Sequence, residues 1–511
     1  MRGSYLTITR KRRAFVSRHL LLLPPVAPAR ALVETATTAP GKARGAPFPP
    51  SPPRFDNEVN GSRWTVPTGK PVPGKRTRTP TSTKKSPLGD PPAISFQVNN
   101  GLGISGSTIA EPSGAGSAGG AVFASSNWFA AYSTNGGATF MQLNPTTIFP
   151  PDSIGFCCDQ IVQYVPSIDR FIWLLQGNNG FRLASASPAT VASSGGTAWT
   201  YWNLPSTLFE QPTGTGVDYP DLSVGSKSLY LSWDVGWPTC PKRCRSGLQV
   251  SRTSLSGIKA GGTISIDYTN PADSTMAWGS HVMQDTGGEI FWAGHNSNSQ
   301  MRIFSLAEGS NTYFWRDVGI STWANNTLSS TTPYGQDWLS FGAGFPGNAV
   351  LGSTRVGNRL WFAWTAGTDR RFRQPHIEMV QLDRSSNFSK VEQVQIWNGS
   401  YGFAYPALAT NNCTREVGLS FEFGGGGNYE NMVVGFWGDF IAYITTASNV
   451  GTTRFGDYAS IRDAASTSTN PGNLFTAFGY GLKLVPPPGT GTMSDVHYVL
   501  FGRPSSSCRS G

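Results

Sequence analysis

One short pattern recurs along this chain of 511 residues: a brief inner segment, a turn, then an aromatic-rich alternating strand. The copies read CCDQIVQY and RFIWLLQ from Cys157 to Gln176, YPDLSVG and SLYLSWD from Tyr219 to Asp234, and GSHVMQD and EIFWAGH from Gly279 to His295. They continue as NAVLGST and RLWFAWT from Asn348 to Thr365, YPALATN and VGLSFEF from Tyr405 to Phe423, and GDYASIR and LFTAFGY from Gly456 to Tyr480. A unit this small cannot bury its apolar face alone, so copies must stack. A spacing of roughly 50 to 60 residues is that of a four-stranded propeller blade. An earlier unit, GGAVFASSNWFAAYSTNGGATFMQL, brings the count to seven. The pattern predicts an all-β chain with a single β-propeller of seven four-stranded blades, six and eight being the neighbouring counts. The least regular unit lies around Tyr334 to Arg355. Closure would come from pairing the two ends of the domain, with ISFQVNN (Ile94 to Asn100) against HYVLFGR (His497 to Arg503).

Charge divides the chain in two. The first 90 residues hold 17 Lys and Arg against four acids, or +13, so the remainder carries 23 against 26, or −3, of the net +10. The basic balance belongs to a tail, and a nucleic-acid binder needs a basic face on the folded unit. Those 90 residues also hold 14 of the 37 prolines, a composition that does not repay the entropy of folding. Residues 36–92 therefore read as a disordered Pro/Lys/Arg-rich linker, and the propeller as residues 93–511. At the start, the basic run Arg10 to Arg13, the apolar stretch Leu20 to Val26 and Ala29-Arg30-Ala31 resemble a secretory signal within residues 1–35. The domain is expected outside the cytoplasm, as a monomer, and no stretch is long enough to span a membrane.

Within the first unit, Ser133-Thr-Asn135-Gly-Gly137-Ala-Thr-Phe140 resembles the Asp-box, S-x-D-x-G-x-x-W, of sialidase-like (BNR-repeat) propellers, with Asn for the acid and Phe for Trp. A fainter copy is Ala192-x-Ser194-x-Gly196-x-x-Trp199. In that superfamily the box is a hairpin between outer strands of a blade, where polar side chains satisfy turn amides and the aromatic packs inward. The resemblance implies a fold; for sialidases proper it would also imply an arginine triad, a Tyr–Glu nucleophile pair and an acid/base Asp. The arginine tripeptide R-I-P or R-L-P that usually opens the triad does not occur here, though Arg355, Arg454 and Arg462 supply guanidinium groups.

Repeat geometry indicates where a site would lie. Inner strands begin at one rim of the channel, and the loops after second strands return to it. The rim read this way holds Asp159, Asp218, Asp221, His281, Asp337, Tyr405, Asp457 and Tyr458, joined by Asp234, His295 and Glu422 from the second-strand loops. Among these, Asp159, Asp221, Asp337, Glu422, Asp457, His281, His295 and Tyr405 are the candidate acid/base groups for glycoside cleavage. Asp218, Asp234, Arg355 and Arg462 are candidate ligand contacts, with Trp278 and Trp338, beside Trp233 and Trp292, as stacking faces. No cofactor is required, although the same oxygens could hold Ca²⁺. An Asp before an inner strand also caps turns, and a second-strand Trp also packs blades.

Six cysteines suit an exported domain. Cys240 and Cys244 are spaced to close a short loop, and Cys413 with Cys508 would tie the sixth unit to the chain end. Adjacent Cys157 and Cys158, directly before Asp159, form either a vicinal disulfide or a pair of buried thiols facing the channel. Two readings stand: a secreted propeller that binds a glycan or other surface ligand at the rim without turnover, and a carbohydrate-active enzyme, glycoside hydrolase or polysaccharide lyase, using the rim acids with His and Tyr. The first is preferred, because an acidic ring without the sialidase arginine signature needs no chemistry to explain it.

Overall fold

The computed structural model describes residues 94–503, apart from 107–108, 311, 327, 334, 340–348, 440, 467–471 and 486–490, together with four short strands nearer the N-terminus. Seven antiparallel sheets follow one another around a ring, as the repeat predicts. The inner strands are Ser113–Gly116, Gln160–Val165, Val217–Val224, Val350–Val356, Gly402–Thr410 and Ser460–Asp463 for the first, second, third, fifth, sixth and seventh blades. Second strands such as Ser228–Val235 are buried along their whole length, because strands of their own blade flank both edges and neighbouring blades cover both faces. Their aromatic residues interlock across blades: Phe123 meets Trp173 edge-on at 5.0 Å. Within the fourth blade, Trp292 stacks on its cross-strand partner Phe304 at 5.1 Å.

Closure takes the predicted route. Ser95–Gly106 forms the outermost strand of the seventh blade, pairing with Thr492–Gly502 so that Tyr498 faces Asn100 and Gly502 faces Ser95. Of the stretch expected to be least regular, Tyr334 to Arg355, residues 334 and 340–348 lie outside the described residues. The fifth blade has four full strands, whereas the fourth blade's inner segment, Ser280–Asp285, forms no regular ladder with its own blade. Its backbone turns to the next blade instead, with His281 N–H donating to Val350 C=O (3.0 Å) and Gln284 N–H to Ser353 C=O (2.9 Å). Gly279 and Asp285, both at positive φ, bound this detour.

Before residue 94 the described segments are Arg13–Phe15, Glu34–Thr35, Pro71–Pro73 and Lys75–Arg78. They pair along the outer edges of the fourth, second, sixth and fifth blades respectively. The rest of that region, including Leu20 to Ala31 of the expected export signal, lies outside the described residues. No helix among the described residues is long and apolar enough to cross a membrane.

Cys240 and Cys244 are bridged, as their spacing predicts, and Cys157 and Cys158 form the vicinal disulfide rather than two thiols. Cys413 is disulfide-bonded, while its expected partner Cys508 lies outside the described residues.

The ring's centre is filled, not open. Below a layer of carboxylates the rings of Tyr219, His281 and Tyr458 meet pairwise at 5.2 to 5.3 Å. Deeper still, Gln163 Nε2 donates to Gln284 Oε1 (2.8 Å), and Gln284 Nε2 reaches Leu222 C=O (2.8 Å) and Asp221 Oδ2 (3.4 Å). Arg462 Nη2 stands 3.7 Å from Asp221 Oδ1. These contacts join four blades and divide the channel into two separate mouths.

Candidate functional site

The mouth where the inner strands begin gathers Glu111, Asp159, Asp218 and Asp457 around the channel axis. Asp159 directly precedes the inner strand of the second blade, Asp218 opens that of the third, and Asp457 and Glu111 come just before those of the seventh and first. All four are buried or nearly so; Asp159 is 6% exposed and Glu111 3%. Glu111 lies within hydrogen-bonding reach of both Asp159 and Asp457 through its carboxyl group. A third contact fixes it, since Asn127 Nδ2 donates to Glu111 Oε2 at 2.8 Å. Arg454 Nη2 lies 3.7 Å from Asp457 Oδ2.

Burial decides the protonation of this cluster. It pushes Asp159 up to about 8, with the charge of Asp218 adding to it. Burial likewise raises Asp218 to about 6, opposed by hydrogen bonds from Gln176 and the Tyr219 amide. Glu111 is raised well above the usual carboxylate range by burial and then by the charges of Asp159 and Asp457. Asp457 is also raised by burial, but the Arg454 charge pulls it back. Tyr219, Tyr405 and Tyr458 are driven well above the ordinary phenol range by burial, and His281 is driven down by it. Near neutral pH the mouth therefore holds protonated carboxyls beside an ionisable one.

The backbone is unusual at the same place. Glu111, Tyr219 and Tyr405 all have positive φ, of 45°, 59° and 56°. The two tyrosines open Tyr-Pro steps, and each inner strand slips register there, between Asp218 and Asp221 and between Ala404 and Ala407. Left-handed non-glycine residues persist only where the surroundings hold them, and they concentrate at functional sites. The Tyr405 ring in turn requires Gly456, since a Cβ there would lie 2.2 Å from it at φ +104°.

The other rim candidates fall elsewhere. Asp337 caps a turn, accepting from Ser330 N–H (2.9 Å) and Leu339 N–H (3.2 Å). Asp234 is buried against the Gly279 amide at 2.8 Å. Asp221 lies one layer deeper, in the plug. Glu422 belongs to the seam between the sixth and seventh blades: its cross-strand partner Met432 packs on Gly479, and no described group hydrogen-bonds its carboxyl. His295 is wedged between Trp323 and Trp364, with ring centres 4.8 and 4.7 Å away, and burial pushes it down to about 3. A neutral imidazole in that apolar slot cannot exchange protons near pH 7. Trp233, Trp292 and Trp338 are core residues rather than stacking faces. Trp278 is half-buried just before His281. Arg355 and Arg462 line the opposite mouth and do not join the carboxylates. Among the described residues no group of three or more His, Cys, Asp or Glu is arranged to hold a metal ion.

Glu111 is the residue that the sequence reading missed. The inner strand of the first blade, Ser113–Gly116, is a glycine- and serine-rich run without the apolar alternation of its counterparts, so Glu111 was not aligned with Asp159 and Asp457. Its place just ahead of that strand was the available signal. Beside the carboxylates, Phe156 meets Trp128 edge-on at 6.1 Å, and with the half-buried Cys157–Cys158 bridge forms an apolar shoulder of the mouth. The Asp-box-like segment lies far out, between the third and fourth strands of the first blade. There Ser133 Oγ accepts from Gly137 N–H (3.0 Å), Asn135 Oδ1 accepts from Thr139 N–H (3.0 Å), and Phe140 packs on Tyr498.

Fold and site together define a closed seven-bladed propeller with a plugged channel and an acidic mouth. No family model matches the chain, and no curated protein matches it. Among solved structures, the NanB sialidase of Streptococcus pneumoniae is similar with a TM-score of 0.37 and 11% identity, covering 70% of each chain. The α-L-arabinofuranosidase Arb93A of Fusarium graminearum gives 0.34 and 10%, over 76% of this chain and 92% of that one. A chain of the mitotic checkpoint complex gives 0.39 and 12%, over 84% and 99%. These likenesses extend no further than the fold.

Proposed function

We propose that this chain is a secreted, carbohydrate-directed propeller that works at the mouth carrying Glu111, Asp159 and Asp457, and that this mouth is equipped for acid–base cleavage of a glycosidic bond. The observation that supports it most is the placement of these carboxyls. Unlike Asp337 and Asp234, which are tied to turn amides, they lie within hydrogen-bonding reach of one another, beside Arg454. With Asp159 raised to about 8, its proton is available for the departing glycosidic oxygen as the C–O bond breaks. Asp457, the carboxyl that Arg454 favours as an anion, would take a proton from the water that attacks the anomeric carbon. Glu111 bridges the two and fixes their orientation. Disulfides at Cys157–Cys158 and Cys240–Cys244 fit an oxidising compartment, hence export.

A second reading, glycan binding without turnover, is favoured by one feature: hydrogen-bonded carboxyls suit adjacent sugar hydroxyls as well as they suit proton transfer. The deciding experiment is a screen of chromogenic glycosides and acidic polysaccharides with wild type and Asp159→Asn. Turnover that the variant loses supports the first reading. Saturable saccharide binding that the variant loses, with no turnover, supports the second. Neither binding nor turnover on the panel, or both unchanged in the variant, overturns both.

A further inference from the structure

The opposite mouth has a different construction. Where the inner strands end, a cavity of about 450 Å³ opens, and three of its lining residues are Arg355, Arg415 and Arg462. They come from the fifth blade, the turn after the sixth blade's inner strand, and the seventh blade, so the ring itself brings them together. Arg355 is held by its backbone contacts, Nε donating to Gly357 C=O (2.6 Å) and Nη1 to Thr286 C=O (2.9 Å), which leaves Nη2 for a ligand. Arg462 is 12% exposed; Nη1 donates to Ile461 C=O (2.9 Å), and its buried Nε has no partner among the described residues. Arg415 is exposed at the lip.

Two acids line the same cavity, and both are already engaged. Asp285 Oδ2 accepts from Thr410 N–H (2.7 Å) and Thr354 Oγ1–H (3.2 Å). Asp463 accepts from Asn411 Nδ2 (2.8 Å) and Asn412 Nδ2 (2.7 Å). Burial raises them to about 6 and about 7, so near neutral pH they only partly offset the arginines. The hydrogen-bonded Gln163–Gln284 pair lines the cavity, and neither Asp159 nor Asp457 is among its lining residues. A second cavity, of about 440 Å³, shares Gly116, Ala465 and Thr476 with the first and runs out over Gly116–Gly120 to Tyr498.

We propose that this mouth is a second binding site, independent of the acidic one, for a ligand bearing a carboxylate or sulfate oxyanion seated on Arg355, Arg415 and Arg462, with its body lying along the glycine-floored groove. Planar guanidinium forks suit both oxyanions, and a buried donor without a protein partner favours binding of an acceptor. Free and sugar-borne oxyanions share this chemistry, so the test uses one probe of each kind.

Calorimetric titration of the full chain with inorganic sulfate and with D-glucuronate, against glucose as the neutral control, decides it. The expected result is saturable binding of at least one anion and none of glucose. Arg355→Gln and Arg415→Gln should each weaken binding about tenfold or more, as loss of a charge-assisted hydrogen bond does. Arg415 is exposed, so its variant keeps the fold, which an unchanged melting temperature checks. Asp159→Asn should bind the anions as wild type does, whatever becomes of the acidic mouth. Glucuronate binding alone identifies a sugar acid, and sulfate binding alone a sulfate group; both support the site. Absence of binding by either anion, equal binding of glucose, indifference to both arginine changes, or loss of binding in Asp159→Asn overturns it.

Discussion

The two mouths are made by the two ends of the same inner strands, yet they solve opposite problems. At one, carboxyls are crowded out of water and kept neutral by sharing protons, and the backbone adopts left-handed turns at Glu111, Tyr219 and Tyr405 to bring them together. At the other, arginines stand around open space, and the acids are bonded to backbone and amide groups. The difference teaches that a repeat dictates where a ring of side chains stands but not its chemistry. Chemistry depends on which positions bulge, which are capped, and how much water remains.

Four measurements would break or sharpen this contrast. The largest effect belongs to the acidic mouth: Asp159→Asn and Glu111→Gln should each lower glycoside turnover by about 100-fold or more, the range expected on losing a general acid or its orientation. Arg355→Gln should leave that rate unchanged, and a comparable loss in Arg355→Gln would show that the mouths communicate.

Next comes backbone strain. Gly456→Ala places a methyl group 2.2 Å from the Tyr405 ring at φ +104°. It should cost at least about 2 kcal/mol in urea unfolding. Gly357→Ala at the open mouth, at φ +58° with nothing within 4 Å, should cost only about 1 kcal/mol. Equal costs would mean that the acidic mouth is no more tightly packed than the other.

Third is pH. Asp159 holds its proton up to about 8 when folded but near 3.8 otherwise, so the folded state carries the extra proton between those values. Its contribution to stability is complete below about pH 4 and fades as pH rises through 8. Glu430, also raised by burial to about 8, shifts in the same sense. The melting temperature should therefore fall between pH 5 and pH 9, and Asp159→Asn should flatten part of that slope. An unchanged slope in the variant would place Asp159 in contact with water.

The smallest effect is expected at His295. Its imidazole makes no hydrogen bond among the described residues, so His295→Phe between Trp323 and Trp364 should shift stability by less than about 1.5 kcal/mol and leave turnover unaltered. A lost activity would return His295 to the site.

The blades were legible because an alternating aromatic strand such as Arg170–Gly177 is specified by its own residues, and the closing pair was legible because its register follows from the same alternation. Asp159 and Asp457 were legible from their place before an inner strand. Asp337 looked the same in sequence and Asp234 stood at the end of a second strand on the same rim, and only the position of the Ser330, Leu339 and Gly279 amides makes them caps. Arg355 and Arg462, candidate ligand contacts with no spacing to place them, sit near the far ends of the inner strands Val350–Val356 and Ser460–Asp463, and strand direction carries them to the opposite mouth. Glu111 was missed because its strand is too small and polar to announce itself.

Closing the ring with Ser95–Gly106 has a consequence for how the molecule comes to exist. His497 and Asn99, whose side chains meet at 3.0 Å, are 398 positions apart in the chain. The closing strand Ser95–Gly106, made before any blade's inner strand, must wait for Thr492–Gly502 before it has a partner. Until then six blades stand as an open arc with two exposed strand edges, the state in which a nascent β-chain is most vulnerable to pairing with a neighbour. Contacts so distant make for slow folding. Once made, they also leave no free end from which the sheet ring could unravel blade by blade, so persistence would be set by the rate of that single unzipping event rather than by the strength of any one blade.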